Sequence, residues 1–255
     1  MVANKLSELV IVGAGGFGRE LLQWVKDINS HNPRWIIKGF IDDNLEALNG
    51  YDVDYQIIGR IVEWMPCESE VFALAIAKPM LKEKIVTMLK GRGARFDSII
   101  HPSAVIGDFN RIGEGLVCYP NSGINVNVSI GNFVTLLSSG IGHDVCVGDY
   151  STISSYCDIT GGCKIGKRVF LGSHVTIIPT RVIGDDASIG AGSVVVTNIK
   201  NNVSVFGNPG KNSNCDECRW PIPLCTRSDQ EEYDSTTYFT CFVFSLITNS
   251  CKCWC

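Results

Sequence analysis

What the 255-residue sequence lacks narrows its function before any motif is read. Basic residues are not in excess: 22 Lys and Arg stand against 26 Asp and Glu, a formal net charge of −4. No polybasic run interrupts that balance, so neither the footprint of a nucleic-acid binder nor a patch for an anionic membrane is present. Long apolar stretches are also missing. None approaches the roughly 18 residues of a spanning helix, and the five-residue apolar run after Lys5 is too short for a secretory signal. Small ligands and a cytoplasmic setting are the expectation. Histidine is scarce, with four in the chain, so each can be weighed singly.

The twelve cysteines are unevenly spread. Five (Cys67, Cys118, Cys146, Cys157, Cys163) fall in residues 1–211 among apolar or turn residues, where a reduced thiol serves as a small hydrophobe. Seven crowd the remainder. There, Cys215-x-x-Cys218 resembles half of a zinc site, but the later spacing is Cys251-x-Cys253-x-Cys255 and no histidine follows His174. We expect no metal, and take 212–255 as an appendage without a part in the chemistry.

From Glu8 to Ser98 short apolar runs alternate with helical stretches, the pattern of βαβ units around a parallel sheet. Strands are predicted at 9–13, 35–42 and 71–77, and helices at 17–29 and 80–93. About ninety residues hold only half of a dinucleotide-binding fold. From Ile106 every sixth residue is apolar: Ile112, Cys118, Ile124, Ile130, Leu136 and then, after a single slip, Ile141, Val147, Ile153, Ile159, Ile165, Leu171, Ile177, Ile183, Ile189 and Val195. Glycine follows nine of these anchors, and small or β-branched residues such as Val134, Val145, Ser151 and Val175 recur four positions on. Neither helix nor alternating strand has period six. A solenoid does, with one short strand and one turn per hexad and three hexads per triangular coil. The segment Ile130–Val147 is a residue short of three hexads, just ahead of His143.

Two motifs carry chemistry. Gly13-Ala14-Gly15-Gly16-Phe17-Gly18 is a G-x-G-x-x-G loop between a strand and a helix, where backbone approaches a pyrophosphate and the helix N-terminus supplies N–H donors. Asp42 or Asp43 is placed to serve a ribose, yet a half-fold suits one nucleotide diphosphate better than NAD. His143 is the one imidazole followed by a carboxylate, Asp144. Acyl transfer needs a base near neutrality, which imidazole provides; a solvated turn histidine is the competing reading. Contact between adjacent residues requires a turn, because neighbours on a strand point to opposite faces. His101 reads as structural, His31 as an exposed loop residue, and His174 as facing solvent or a neighbouring subunit.

With GAGGFGRE, GFIDD, IHPSAVIG, IGHDVCVGDYSTI, the glycine pair 161–162, IGAGSVV and FGNPGK in this order, residues 8–211 resemble the hexapeptide-repeat acyltransferases of the left-handed β-helix class. Within it they are most similar to bacterial sialic acid O-acetyltransferases and sugar-nucleotide N-acetyltransferases. The resemblance implies an α/β half-Rossmann domain (1–98) that holds a nucleotide-linked sugar through Gly13, Ala14, Gly15, Gly16, Gly18, Asp42 and Asp43. It implies an all-β left-handed parallel β-helix (99–211) that holds acetyl-CoA between the subunits of a homotrimer, with Gly161, Gly172 and Gly192 along it. His143 would be the base, with Asp144 beside it, and the Gly161 N–H would hold the thioester carbonyl. The chain departs from the pattern at Phe17, where many members have histidine, at Ala77-Lys78-Pro79, and at Thr152, where some have a second histidine. The expected activity is N-acetylation of a nucleotide-linked amino sugar for surface glycans. O-acetylation of a sialic acid, a serine-acetyltransferase-like reaction and a non-catalytic sugar-nucleotide scaffold remain as alternatives. Phe133, Leu137, Tyr150 and Phe170 lie outside the interior positions and are the expected trimer contacts.

Overall fold

The computed structural model describes residues 6–212, so all but the first residue of the cysteine-rich segment 212–255 lies outside the described residues. Strand β1 (Ser7–Val12) leads through the glycine loop into helix α1 (Gly16–His31), then β2 (Trp35–Ile41), β3 (Ile57–Gly59), β4 (Glu70–Leu74) and helix α2 (Pro79–Gly91). The strands form a parallel sheet in the order β3-β2-β1-β4. Residue alternation along β1 sorts the two faces: Leu9 and Ile11 pack with α1, Val10 and Val12 with α2. β3 is an addition to the expected elements. It is three residues long, at the sheet edge, in a stretch without alternation.

The hexads form the solenoid. Each contributes a two-residue strand whose second residue points inward, and the strands stack into faces of eight, six and five strands, parallel throughout except for the closing antiparallel pair of Ser204–Phe206 with Lys211–Asn212, wound left-handed. The anchors from Cys118 to Val195 are all buried, each stabilising the stack by about 1.5–3 kcal/mol. Val134, Val145, Ser151, Val169 and Val175 fill the corners between them. Ile106 and Ile112 are the exceptions, exposed because no coil lies beneath the first.

The missing residue is absorbed in one corner. Leu137–Ser139 spans it with three residues, Ser138 takes a left-handed φ of 44°, and the Ser139 hydroxyl bridges the gap. It donates to Ser154 O (2.6 Å) and accepts from Cys157 N–H (2.8 Å). Pairing beyond is regular, Gly140 opposite Asp158 and Gly123, so His143 keeps its place in the repeat.

The α/β domain packs on the eight-stranded face. Phe17 and Trp24 meet Tyr119 at 5.9 and 5.7 Å, whose hydroxyl donates to Glu20 (3.0 Å). On the α2 side, Lys82 is fully buried. Its ammonium reaches Thr135 Oγ1 and Thr152 Oγ1 (both 2.8 Å), Phe133 O (3.1 Å) and Ser151 O (3.2 Å). This packing corrects the expected trimer contacts. Phe133 is buried against Phe96 and stacked on Tyr150, and Leu137 packs with the α1 cluster. Phe133 and Tyr150 lie on the edge between the eight- and five-stranded faces and Leu137 on the edge between the eight- and six-stranded faces, and all three pack against the chain's own first domain, which occupies the eight-stranded face between them; Phe170, on that face itself, is half-buried.

Candidate active site

Consider first the glycine loop. Gly13 has φ +101°, and a Cβ there would meet Ala75 O at 2.9 Å; one at Gly18 would meet Gly13 O at 2.1 Å. These two glycines let the helix start close against the sheet. Gly15 and Gly16 differ, since a Cβ at Gly15 meets nothing within 4 Å. Gly15 also caps α1 without a side-chain hydrogen bond and no acidic residue occupies the first turn, so the helix N-terminus opens outward with its first N–H groups uncapped by side chains.

The neighbouring carboxylates act on the chain itself. Asp42 accepts from Ala14 N–H (2.7 Å) and Asn44 N–H (2.9 Å). Asp43 accepts from Val62 N–H (3.0 Å), and its carbonyl takes Arg60 (2.7 Å). Asp42 therefore fixes the shape of the glycine loop from the adjacent strand end.

His143 and Asp144 lie at the edge between the six- and five-stranded faces, after strand Gly140–Ile141. Asp144 has φ +59°, which turns it onto the same side as His143 and brings Oδ2 within 2.7 Å of Nδ1. That turn is the condition the strand geometry demanded. Nε2 is left free, directed over Gly161 one coil above: a Cβ at Gly161 would lie 2.5 Å from it. The amides flanking Gly161 are engaged, Thr160 N–H with Ile177 O and Gly162 N–H with His143 O, whereas Gly161 N–H has no acceptor among the described residues. A basic nitrogen and an unspent amide stand side by side at one corner, the pairing acyl transfer requires. Even one methyl group at Gly161 must displace the ring. Gly161→Ala is expected to lower kcat roughly tenfold or more while the fold persists, which steady-state kinetics alongside circular dichroism would show.

The structure does not bring Gly172 and Gly192 to this corner within one chain. Both lie on the edge between the eight- and six-stranded faces. A Cβ at Gly172 would meet Ala191 N of the next coil at 2.6 Å, and Gly192 has φ +71° with open space beside it. Thr152 holds neither ligand nor base; it accepts from Lys82 and donates to Ala77 O (2.8 Å). His101 sits edge-on to Trp24 and bonds Ser103 (2.8 Å). Lys82 and Ser139 went unread in the sequence, although the one-residue slip beside Ser138-Ser139 marked the second. Among the described residues no cluster of acidic, histidine or cysteine side chains is arranged to hold a metal, and no helix is long and apolar enough to cross a membrane.

Comparison with known proteins now bears on this geometry. Residues 8–89 match the PglD N-terminal domain, and residues 162–197 match the bacterial transferase hexapeptide repeats. The two matches follow one another along the chain, the first on the α/β domain and the second on the solenoid. This two-domain chain is 29% identical over 213 residues to the GDP-perosamine N-acetyltransferase of Escherichia coli O157:H7, covering 79% of itself and 94% of that protein. Among solved structures it superposes on PerB from Caulobacter crescentus in complex with CoA and GDP-perosamine, with 25% identity, a TM-score of 0.73, and coverage of 81% and 97%. The acetyltransferase domain of PglB from Neisseria gonorrhoeae shares the fold at 22% identity and a TM-score of 0.73, with 81% and 100% covered.

Proposed function

We propose that this protein is an acetyl-CoA-dependent acetyltransferase acting on the amine of a nucleotide-linked amino sugar, in the assembly of surface glycans. The observation that carries the reading is the corner where His143 Nε2 stands beside the unspent Gly161 N–H. The similarity to an N-acetyltransferase of GDP-perosamine, and to a structure holding CoA and that sugar nucleotide, supplies the substrate class. Residues 1–98 bind the nucleotide diphosphate, with the Gly15 and Gly16 cradle on the phosphates and Asp42 bracing the loop.

His143 takes the proton of the attacking amine through Nε2. Asp144 holds Nδ1–H, keeping the lone pair on the reacting side and stabilising the imidazolium that forms. Gly161 N–H donates to the thioester oxygen as negative charge develops on it. As the carbon–sulfur bond breaks, the proton on Nε2 passes to the departing thiolate. The chain is a homotrimer in this reading, because His143 lies on the edge opposite the eight-stranded face that carries the α/β domain.

Release of CoA thiol by the purified protein decides the reading: it should appear with a nucleotide-linked amino sugar such as GDP-perosamine and be absent with the corresponding hydroxy sugar. Equal release with both, or with a sialic acid alone, would turn the assignment to O-acetylation. Release with none of them would leave a binding scaffold. The cradle makes a separate prediction. Gly15→Val has room to fold, yet fills the space of the diphosphate, so the sugar-nucleotide KM should rise roughly tenfold or more while that of acetyl-CoA stays put. Equal damage to both would disprove the assignment of the loop.

A further inference from the structure

Phe109 holds a bulky side chain in a backbone conformation that costs free energy, and nothing among the described residues offsets that cost. Its φ is +62° and it is 83% exposed, in the left-handed region that favours glycine and asparagine. The other described aromatic residues at positive φ each have a ring partner: Phe133 and Tyr150 stack on one another, and Tyr156 stacks on His174 with centroids 5.1 Å apart. Phe109 has no ring contact among the described residues. A strained and exposed ring of this kind points to a ligand.

Its place on the solenoid narrows the ligand. Ile106 pairs with Ile124 and Ile124 with Ile141, so the turns on the edge that carries His143 stack rung on rung. Asp108, Val126 and His143 form one column, and Phe109, Asn127 and Asp144 form the other. The rungs are bonded through these turns: Asp144 N–H donates to Val126 O (3.1 Å) and Asn127 N–H to Asp108 O (3.2 Å). Beneath the base the edge therefore presents an apolar pair, Val126 (38% exposed) and Phe109. Beside it stand Asn127 and Asp108, both exposed, whose side chains have no hydrogen-bond partner among the described residues.

A sugar ring has the same division, with C–H groups on one face and hydroxyls around the rim. Two rungs span about 10 Å at one strand spacing each, room for a single ring and its glycosidic oxygen. Gly161, on the upper side of Nε2, is where the thioester oxygen belongs, which leaves the lower side to the amine. Phe17 of the glycine loop packs on Tyr119, in the same coil as Val126. A diphosphate held by that loop is thus level with this stretch and not with the rungs above Gly161.

We propose that the edge beneath His143 seats the sugar ring of the acceptor, with Phe109 and Val126 against its C–H face and Asn127 and Asp108 on its hydroxyls, so that the amine meets Nε2 from below. These residues then decide which sugar is accepted. The inference rests on the acetyl-transfer reading, with His143 as the base.

Calorimetric titration of the full chain with GDP-perosamine and with GDP tests the seat apart from turnover. Phe109→Asn suits the left-handed backbone, so its Tm should not fall. Its Kd for GDP-perosamine should rise roughly tenfold, the scale of one lost apolar contact, while its Kd for GDP stays that of wild type. Asn127→Gly keeps the same backbone freedom and should weaken GDP-perosamine alone in the same way. Unchanged binding of both ligands by the two variants would overturn the seat. Equal weakening of both would overturn it too, since the ring would then serve the nucleotide. A wild-type protein that binds GDP-perosamine through Phe109 yet releases no CoA thiol would overturn the acetyl-transfer reading and leave the seat standing.

Discussion

His143→Ala lowers kcat by roughly 10²–10⁴-fold, the usual contribution of a positioned base, with acetyl-CoA affinity nearly unchanged. The expectation follows from geometry. Nε2 projects over Gly161, while Nδ1 is tied to Asp144 at 2.7 Å, so removing the ring deletes the proposed proton acceptor and leaves the amide beside it intact. His143→Asn separates the two functions, because an amide keeps some of the volume without basicity and should be equally impaired. Stopped assays with saturating acetyl-CoA measure the loss. Activity within a few-fold of wild type would show that the proton leaves by another route. Asp144→Asn should act in the same direction but less severely, since it orients the ring and does not carry the proton away.

The largest expected effect on stability lies elsewhere, at Lys82. Truncation to alanine leaves Phe133 O without a donor and the buried Thr135 hydroxyl without its partner, and opens a cavity between α2 and the solenoid. The cost is about 3–5 kcal/mol, a fall in Tm on the order of 10 °C for a chain of this size. A pH signature accompanies it. No carboxylate reaches Lys82; Glu83 on its own helix pairs with Arg168 (3.3 Å), and burial pushes the ammonium down from 10.5 to about 7. The unfolded chain then binds the proton more tightly than the folded one, so stability should rise with pH between about 7 and 10.5 and be lower below that window. Lys82→Met removes the titrating group without removing its bulk, and its Tm should lose that slope. Superimposable pH profiles for wild type and Lys82→Met would show that the amine is not strained in the fold.

These two residues show how unequally the sequence discloses its structure. The solenoid was legible because its hydrogen bonds run between coils, so every coil imposes the same period and one aliphatic residue in six must recur. His143 was legible because an imidazole followed by a carboxylate breaks that rhythm. The glycine loop was readable as a loop, but the division of labour within it was not. Gly13 and Gly18 answer to packing, Gly15 and Gly16 to an open face, and only the positions of Ala75 O and Gly13 O separate them. Asp42 was expected to face a ligand, and its engagement by Ala14 N–H depends on how two strand ends meet. Lys82 gave no signal at all. In MLKEKIVTMLKG it is one of three lysines on an amphipathic helix, and its burial follows from which threonines the solenoid presents to that helix, a long-range matter beyond any local pattern. β3 escaped for the opposite reason: three residues at a sheet edge are too few to establish alternation.

The three-residue corner at Leu137–Ser139 has a consequence for how such a chain varies. In a helix a deletion shifts the phase of everything after it; here the next rung resets the count, since pairing is renewed at Gly140 by the strands above and below. Length is therefore a free variable at corners and at no other place. The corner that was shortened lies on the edge between the eight- and six-stranded faces, where it can be trimmed or widened residue by residue while the aliphatic column behind it stays in step. A glycine inserted after Ser138 would be the smallest edit that restores the four-residue corner while leaving the rungs on either side in register.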